Sequence, residues 1–288
     1  MSSLRFEAPT LLDYFATLVA DDLQFSLLEA AIAVAQDDEP TLDVQSVLSQ
    51  IDTLAAKLKQ RLAADASAMH RLRCLNHYFF EELGFAGNVN DYYDARNSHL
   101  QHVIATRRGI PITLALLLIE IAQQIGLDAR PVSFPGHFLV KLKMPQGEVV
   151  IDPFTGQSLS REALDERLAP YRLRQGLVGD FEVPLGLFLQ AASGRDVLAR
   201  LLRNLKEIHR TAEDWPRLLA VQQRLVVLLP EAWEERRDRG LAWAELGDRQ
   251  AAAADLQAYL EQQPDAVDAD AIGQRLGELR QTGPSRLH

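Results

Sequence analysis

The chain has 288 residues, 47% of them hydrophobic and 24% charged, which is enough to bury one large core or two smaller ones and too apolar for wholesale disorder. Its formal charge of −10 lacks the basic surplus of a general nucleic-acid binder. The single cysteine, Cys74, excludes an internal disulfide and fits a reducing compartment.

The opening stretch, MSSLRFEAPTLLDYFATLVADD, has no basic n-region, uninterrupted apolar core or small-residue cleavage site, so no secretory signal is expected. The longest apolar run, from Ile110 to Ile119, is broken by Pro111 and Thr113 and falls far short of the roughly 20 residues that span a bilayer. A cytoplasmic protein with no membrane contact is expected.

In chain order, apolar residues at helical spacing predict helices over Thr10–Ala20 and Asp22–Ala35, the latter through Leu23, Phe25, Leu28 and Ile32. Asp43 caps a longer amphipathic run through Val47, Ile51, Leu54 and Leu58 to Leu62. A further helix, Ala68 to Leu83, ends at Gly84. The loop that follows is dense in polar residues. Asn97 or Ser98 is then expected to cap a short helix that Arg107-Arg108-Gly109 terminates. Pro111 opens a helix to Ile125 that is apolar nearly all round, the mark of a central, buried element.

Alternation around Val132 and Phe134, around Phe138, Val140 and Leu142, and around Val149 and Ile151 predicts three strands, with Met144-Pro145-Gln146-Gly147 as a hairpin turn. One buried helix backed by an antiparallel sheet is an α+β arrangement. After about Leu189 the chain turns helical again. Gly240, Trp243, Leu246-Gly247-Asp248, Ala252, Leu256 and Pro264 have the spacing of one tetratricopeptide repeat. A degenerate neighbour precedes it, with Asp214-Trp215-Pro216 opening its second helix, and a capping helix follows near Asp268–Leu279. Three segments are therefore expected: a helical region over 1–65, an α+β core over 66–192 and helical repeats over 193–288.

His137 and Asp152 carry the most chemical interest. A hairpin pairing their strands brings them within hydrogen-bond reach, with Asp152 orienting the imidazole as in a nucleophile–base–orienter triad. Thiol enzymes place their cysteine at a helix N-terminus, where the dipole and unpaired amides stabilise the thiolate. Pro111 stands there instead, with neither a nucleophilic atom nor an amide hydrogen. Thr113, two residues on, faces away from it, and Cys74 belongs to another segment. Tyr93, Asp94, Arg96, Asn97, Arg107 and Arg108 form a second candidate set that either lines a ligand cleft beside His137 or satisfies loop backbone and pairs with Glu120. Glu120, in mid-helix, requires a partner, a proton or a cavity. His70, His77, His99 and His102 make no metal-ligand set, and no phosphate loop or dinucleotide fingerprint occurs, so neither metal nor cofactor is expected.

The run NDYYDARNSHL…RRGIPITLALLLIEIA…FPGHFLVK…IDPFTG resembles the SirB family of bacterial proteins over nearly the whole chain. That resemblance implies a transglutaminase-like, papain-related core joined to C-terminal tetratricopeptide-like repeats, in a cytosolic protein. The superfamily's Gly-x-Cys falls on Gly109-Ile110-Pro111, so its histidine and aspartate carry over to His137 and Asp152 while its cysteine does not. The expected function is a non-catalytic interaction or regulatory module, with a peptide or small ligand in the core cleft and a protein partner on the repeats. The alternative is a hydrolase or acyl transferase that uses the His137–Asp152 dyad without a cysteine.

Overall fold

A computed structural model describes residues 9–22, 25–177, 179–181 and 183–281. Two compact units partition the chain: one holds residues 26–35 and 41–201, the other 1–25, 36–40 and 202–288, the division falling inside one helix. This partition runs across the three segments expected from the sequence.

Helices α1 (Leu11–Leu18), α2 (Leu27–Ala33) and α3 (Val44–Lys59) come first. The second was expected to start at Asp22; it starts at Leu27, and positions 23 and 24 lie outside the described residues. Asp43 does cap α3, accepting from the amides of Gln45 and Ser46 at 3.0 and 3.2 Å. Helix α4 (Ala68–Asn76) runs on into one turn of π-helix, His77–Glu82. There Leu83 N donates to Tyr78 O, five residues back, before Gly84 turns the chain at a φ of 71°.

A short strand β1 (Ala86–Gly87), helix α5 (Leu100–Thr106) and strand β2 (Arg108–Gly109) lead into α6 (Pro111–Gln124). Two expectations change here. Asn97 and Ser98 lie in a preceding 3-10 turn and His99 is the N-cap of α5; at its other end Arg107, in the left-handed region at φ 60°, supplies the stop. Arg108 and Gly109 pair in parallel with Ala86 and Gly87, a long-range contact that no local pattern announces.

Strands β3 (Asp128–Val132), β4 (Leu139–Met144), β5 (Gly147–Ile151) and β6 (Ser158–Leu159) form one antiparallel sheet in that order. β3 lies earlier than the expected strand at Val132–Phe134, and its Pro131 is tolerated because the strand is an edge. Helix α7 (Arg161–Arg174), the single turn α8 (Leu185–Phe188) and the start of α9 (Gly194–Thr211) complete this unit. α6 packs against α3, β3 and β4. Val132, Leu139 and Val150 instead meet Leu164 and Leu168 of α7 and Leu185 of α8, so the sheet is covered on both faces.

In the other unit the rest of α9 is followed by α10 (Trp215–Leu228), α11 (Trp233–Glu245), α12 (Arg249–Gln262) and α13 (Ala269–Gln281). From α10 to α13 consecutive helices pack on one another, the arrangement of helical repeats. Asp214 caps α10 through the Arg217 amide at 3.3 Å. α1 packs against α10. Arg224, only 1% exposed, donates Nε and Nη2 to the two carboxylate oxygens of Asp37 at 2.7 and 2.6 Å and lies 4.8 Å from the Phe15 ring centre.

Candidate functional site

His137 is placed by a turn whose sequence dictates its form. Phe134-Pro135-Gly136-His137 closes with His137 N donating to Phe134 O at 3.1 Å. Proline presets the first central position and Gly136, at φ 72°, takes the left-handed second one, the signature of a type II turn. His137 therefore sits in a bend two residues before β4 rather than opening the strand. Phe134 and Phe138 are buried on either side of it. Arg200 of α9 fastens the turn, donating Nη1 to Ser133 Oγ at 2.8 Å and to Phe134 O at 3.0 Å, with its guanidinium 5.5 Å from the Phe138 ring centre.

Asp152 follows the last residue of β5. Its backbone accepts from Gly156 N at 2.8 Å and donates to Gln157 O at 2.9 Å, while Oδ1 accepts the Phe154 amide at 3.0 Å. This is the self-hydrogen-bonded turn that an Asp-Pro pair favours. Because Val140 pairs with Ile151 at the end of the β4–β5 ladder, His137 and Asp152 emerge just beyond the same end of it.

The expected dyad is present: His137 Nε2 lies 2.8 Å from Asp152 Oδ1. Asp152 is 2% exposed and its second oxygen accepts from Arg167 Nη1 of α7 at 3.0 Å. Burial by itself would push the Asp152 carboxyl up. The hydrogen bond and charge of His137, the Arg167 bond and the Phe154 amide together outweigh that and bring it down to about 2. Asp152 is therefore an anion at neutral pH, fixed between two basic side chains. The His137 side chain, 24% exposed, borders a cavity of about 290 Å³ that Arg167 and Arg174 of α7 also line. With Nε2 committed to Asp152, Nδ1 is the ring nitrogen left for a ligand or a proton transfer.

At the start of α6, Pro111, expected at the cysteine position, is buried in the first turn. The Thr113 hydroxyl is also buried and already committed. It accepts the Ile110 amide at 3.2 Å and lies 2.8 Å from the Asn97 carbonyl, to which it donates. Gly109 is held to glycine by the same side chain, since a Cβ there would fall 2.8 Å from Thr113 Oγ1. Cys74 is on α4, with its sulfur 3.5 Å from His70 Nε2.

The second candidate set divides. Asn97, 1% exposed, is a structural clamp: Nδ2 donates to the Asp91 and Tyr92 carbonyls at 2.7 and 3.2 Å, and Oδ1 accepts from Asn88 Nδ2 at 3.0 Å. Asp94 caps the 3-10 turn through the Arg96 amide and pairs with the exposed Arg96 guanidinium. Arg107 stacks 4.6 Å from the Phe85 ring centre, and Arg108 donates to the Gly84 carbonyl at 2.7 Å. Glu120 accepts from Gln124 Nε2 at 2.8 Å, not from either arginine, because α6 directs it toward its own next turn. Tyr93 is 78% exposed. None of these seven borders the cavity at His137.

Three arginines that the sequence reading passed over define the site instead: Arg167, Arg174 and Arg200. Arg167, Pro170, Tyr171 and Arg174 recur at i, i+3, i+4 and i+7, a helical stripe that was open to detection; Arg200 carried no local signal because its partners are more than 60 residues away. Among the described residues no group of three His, Cys, Asp or Glu side chains is arranged to hold a metal ion, and no helix is long and apolar enough to cross a membrane.

Comparison with known proteins agrees with this architecture. Residues 45–203 match the transglutaminase-like superfamily and residues 205–277 a tetratricopeptide repeat model. A UPF0162 protein of Xylella fastidiosa (strain Temecula1) is 35% identical over 260 residues, covering 90% of this chain and 92% of the relative. Protein SirB1 of Salmonella typhimurium (strain LT2) is 30% identical over 246 residues, covering 84% of this chain and 87% of the relative. No solved structure matches the chain. The transglutaminase-like match over 45–203, the repeat match that follows it in the chain and these relatives make this chain a member of the SirB family within the transglutaminase-like superfamily.

Proposed function

We propose that this protein is a non-catalytic, transglutaminase-like binding module of the cytoplasm, in which the core site at His137 receives a ligand and the repeats engage a protein partner. One observation carries the reading: the α6 N-terminus has no nucleophile. Acyl transfer through a thioester needs a thiolate that the helix dipole and free amides stabilise, and Pro111 supplies no sulfur, no hydroxyl and no amide hydrogen. Thr113 cannot substitute without giving up the bonds that hold the helix start to Asn97. What is retained is a rigid, oriented imidazole beside a cavity, which suits recognition as well as it suits catalysis. Helix pairs of the tetratricopeptide type serve as docking surfaces for protein segments, which supports the partner-binding half of the proposal.

The second reading, a hydrolase in which His137 activates water and Asp152 orients it, draws on the 2.8 Å dyad and the uncommitted Nδ1. An amide, ester and amine-transfer screen on the full chain and on His137→Ala separates the two. The proposal expects no turnover that the substitution abolishes. Turnover in the parent chain that His137→Ala removes would overturn it.

A further inference from the structure

The cavity beside His137 has a composition that names its ligand class. One wall is the α7 stripe of Arg167, Pro170, Tyr171 and Arg174, whose first and last members lie two turns apart, about 10 Å along the axis. The facing wall is the histidine turn from Phe134 to His137. Among the described residues no carboxylate lines it. Asp152, in contact with two of the lining residues, is buried, with one oxygen held by His137 and the other by Arg167.

The charges do not cancel. Two guanidinium groups against one buried carboxylate leave one positive charge in excess with His137 neutral, and two with it protonated, in a chain whose formal charge is −10. Arg167 gives one Nη1 hydrogen to Asp152 and keeps other donors of its five, and Arg174 is exposed and has no acid partner among the described residues. The rest of the lining is apolar. Pro135 and Pro170 contribute carbon surface, and the Tyr171 ring is braced edge-on by Phe188 at 6.0 Å between centres. About 290 Å³ lies at the small end of ligand pockets, enough for a small molecule and too little for a folded peptide segment.

We propose that this cavity is a receptor for a small organic anion, whose carboxylate or phosphate oxygens meet Arg174, Arg167 and His137 while its apolar body lies on Tyr171, Pro170 and Pro135. The proposal rests on the binding reading of the same site and gives that reading a ligand chemistry. Planar, forked guanidinium donors match carboxylate and phosphate oxygens, and a charge-assisted pair on one of them contributes enough that its loss weakens binding by about ten- to a hundredfold.

The test is a titration of the full chain, followed by amide chemical shifts and calorimetry, with benzoate, phenyl phosphate, inorganic phosphate and the neutral benzyl alcohol. The expected result is saturable binding of benzoate or phenyl phosphate, with shifts at Gly136–Phe138 and along Arg167–Arg174. Added salt should weaken the binding, and benzyl alcohol should not bind. Whichever aryl anion binds more tightly identifies the carboxylate or the phosphate source. Arg174→Gln should weaken binding at least tenfold and Arg174→Lys less, whereas Arg96→Gln, remote from the cavity, should leave it unchanged. Benzyl alcohol binding as well as benzoate, inorganic phosphate binding as well as phenyl phosphate, or Arg174→Gln without effect would each overturn the proposal. If no anion binds and no substrate is turned over, this inference falls and the non-catalytic reading stands. If an anion binds and His137-dependent turnover appears, the site assignment stands and the non-catalytic reading falls.

Discussion

Asp152→Asn tests whether the buried carboxylate stabilises the core by its charge. The substitution keeps the shape and an oxygen for the Phe154 amide but removes the negative charge between His137 and Arg167. The Asp152 carboxyl lies near 2 against an ordinary 3.8, so its ionised form stabilises the folded core by about 2 kcal/mol at neutral pH. The sign follows from the direction of the shift. A carboxyl depressed in the folded state contributes its full amount above its unfolded value and loses it as pH falls through the folded one. Between the parent chain and Asp152→Asn the difference should therefore be about 2 kcal/mol at pH 7, roughly half that near pH 3, and nearly gone below pH 2. All three tryptophans, Trp215, Trp233 and Trp243, lie in the repeat unit, so their fluorescence does not report on this site. Native-state hydrogen exchange of β4 and β5 amides does, because those strands end at the dyad. A difference at pH 7 below about 0.5 kcal/mol, or one that stays constant down to pH 3, would refute the assignment of the dyad as a charged pair.

Two other substitutions probe the scaffold. Thr113→Val keeps the volume of a fully buried side chain but strips the Ile110 amide and the Asn97 carbonyl of a partner, and should cost about 1–3 kcal/mol for each group left unpaired, measured by the same exchange on α6 amides. A cost under about 0.5 kcal/mol would show that the hydroxyl is dispensable and free for other chemistry. Asp37→Ala leaves the Arg224 guanidinium buried without its carboxylate, and urea unfolding followed by tryptophan fluorescence should show a loss of about 3 kcal/mol or more in the repeat unit. An unchanged midpoint would mean that water or another group takes over the charge.

The sequence by itself determined the elements whose causes are local. The apolar circumference of α6, the Asp43 cap, the alternation in β4 and β5, and the Gly, Trp and Pro spacing of the last repeat each follow from a periodicity or a turn residue within a few positions. It also gave the expectation that Pro111, at the start of α6, falls on the superfamily's cysteine position. The His137–Asp152 bond was legible for a related reason: the turn Met144–Gly147 fixes the β4–β5 register, and register delivers both residues to one end of the ladder.

Tertiary structure alone decided which residues share that site with the dyad. Arg167 reaches Asp152 because α7 packs on the sheet face formed by Val132, Leu139 and Val150, and Arg200 holds the histidine turn at a sequence separation of 66 residues. The polar loop around Asn97 drew attention by its density, yet its side chains are used on their own backbone. Joining α1 and Asp37 to a repeat unit some 180 residues later, through Arg224, was likewise beyond local reading. Periodicity records which face of an element is buried; only the assembled core records which charged side chains that burial brings together.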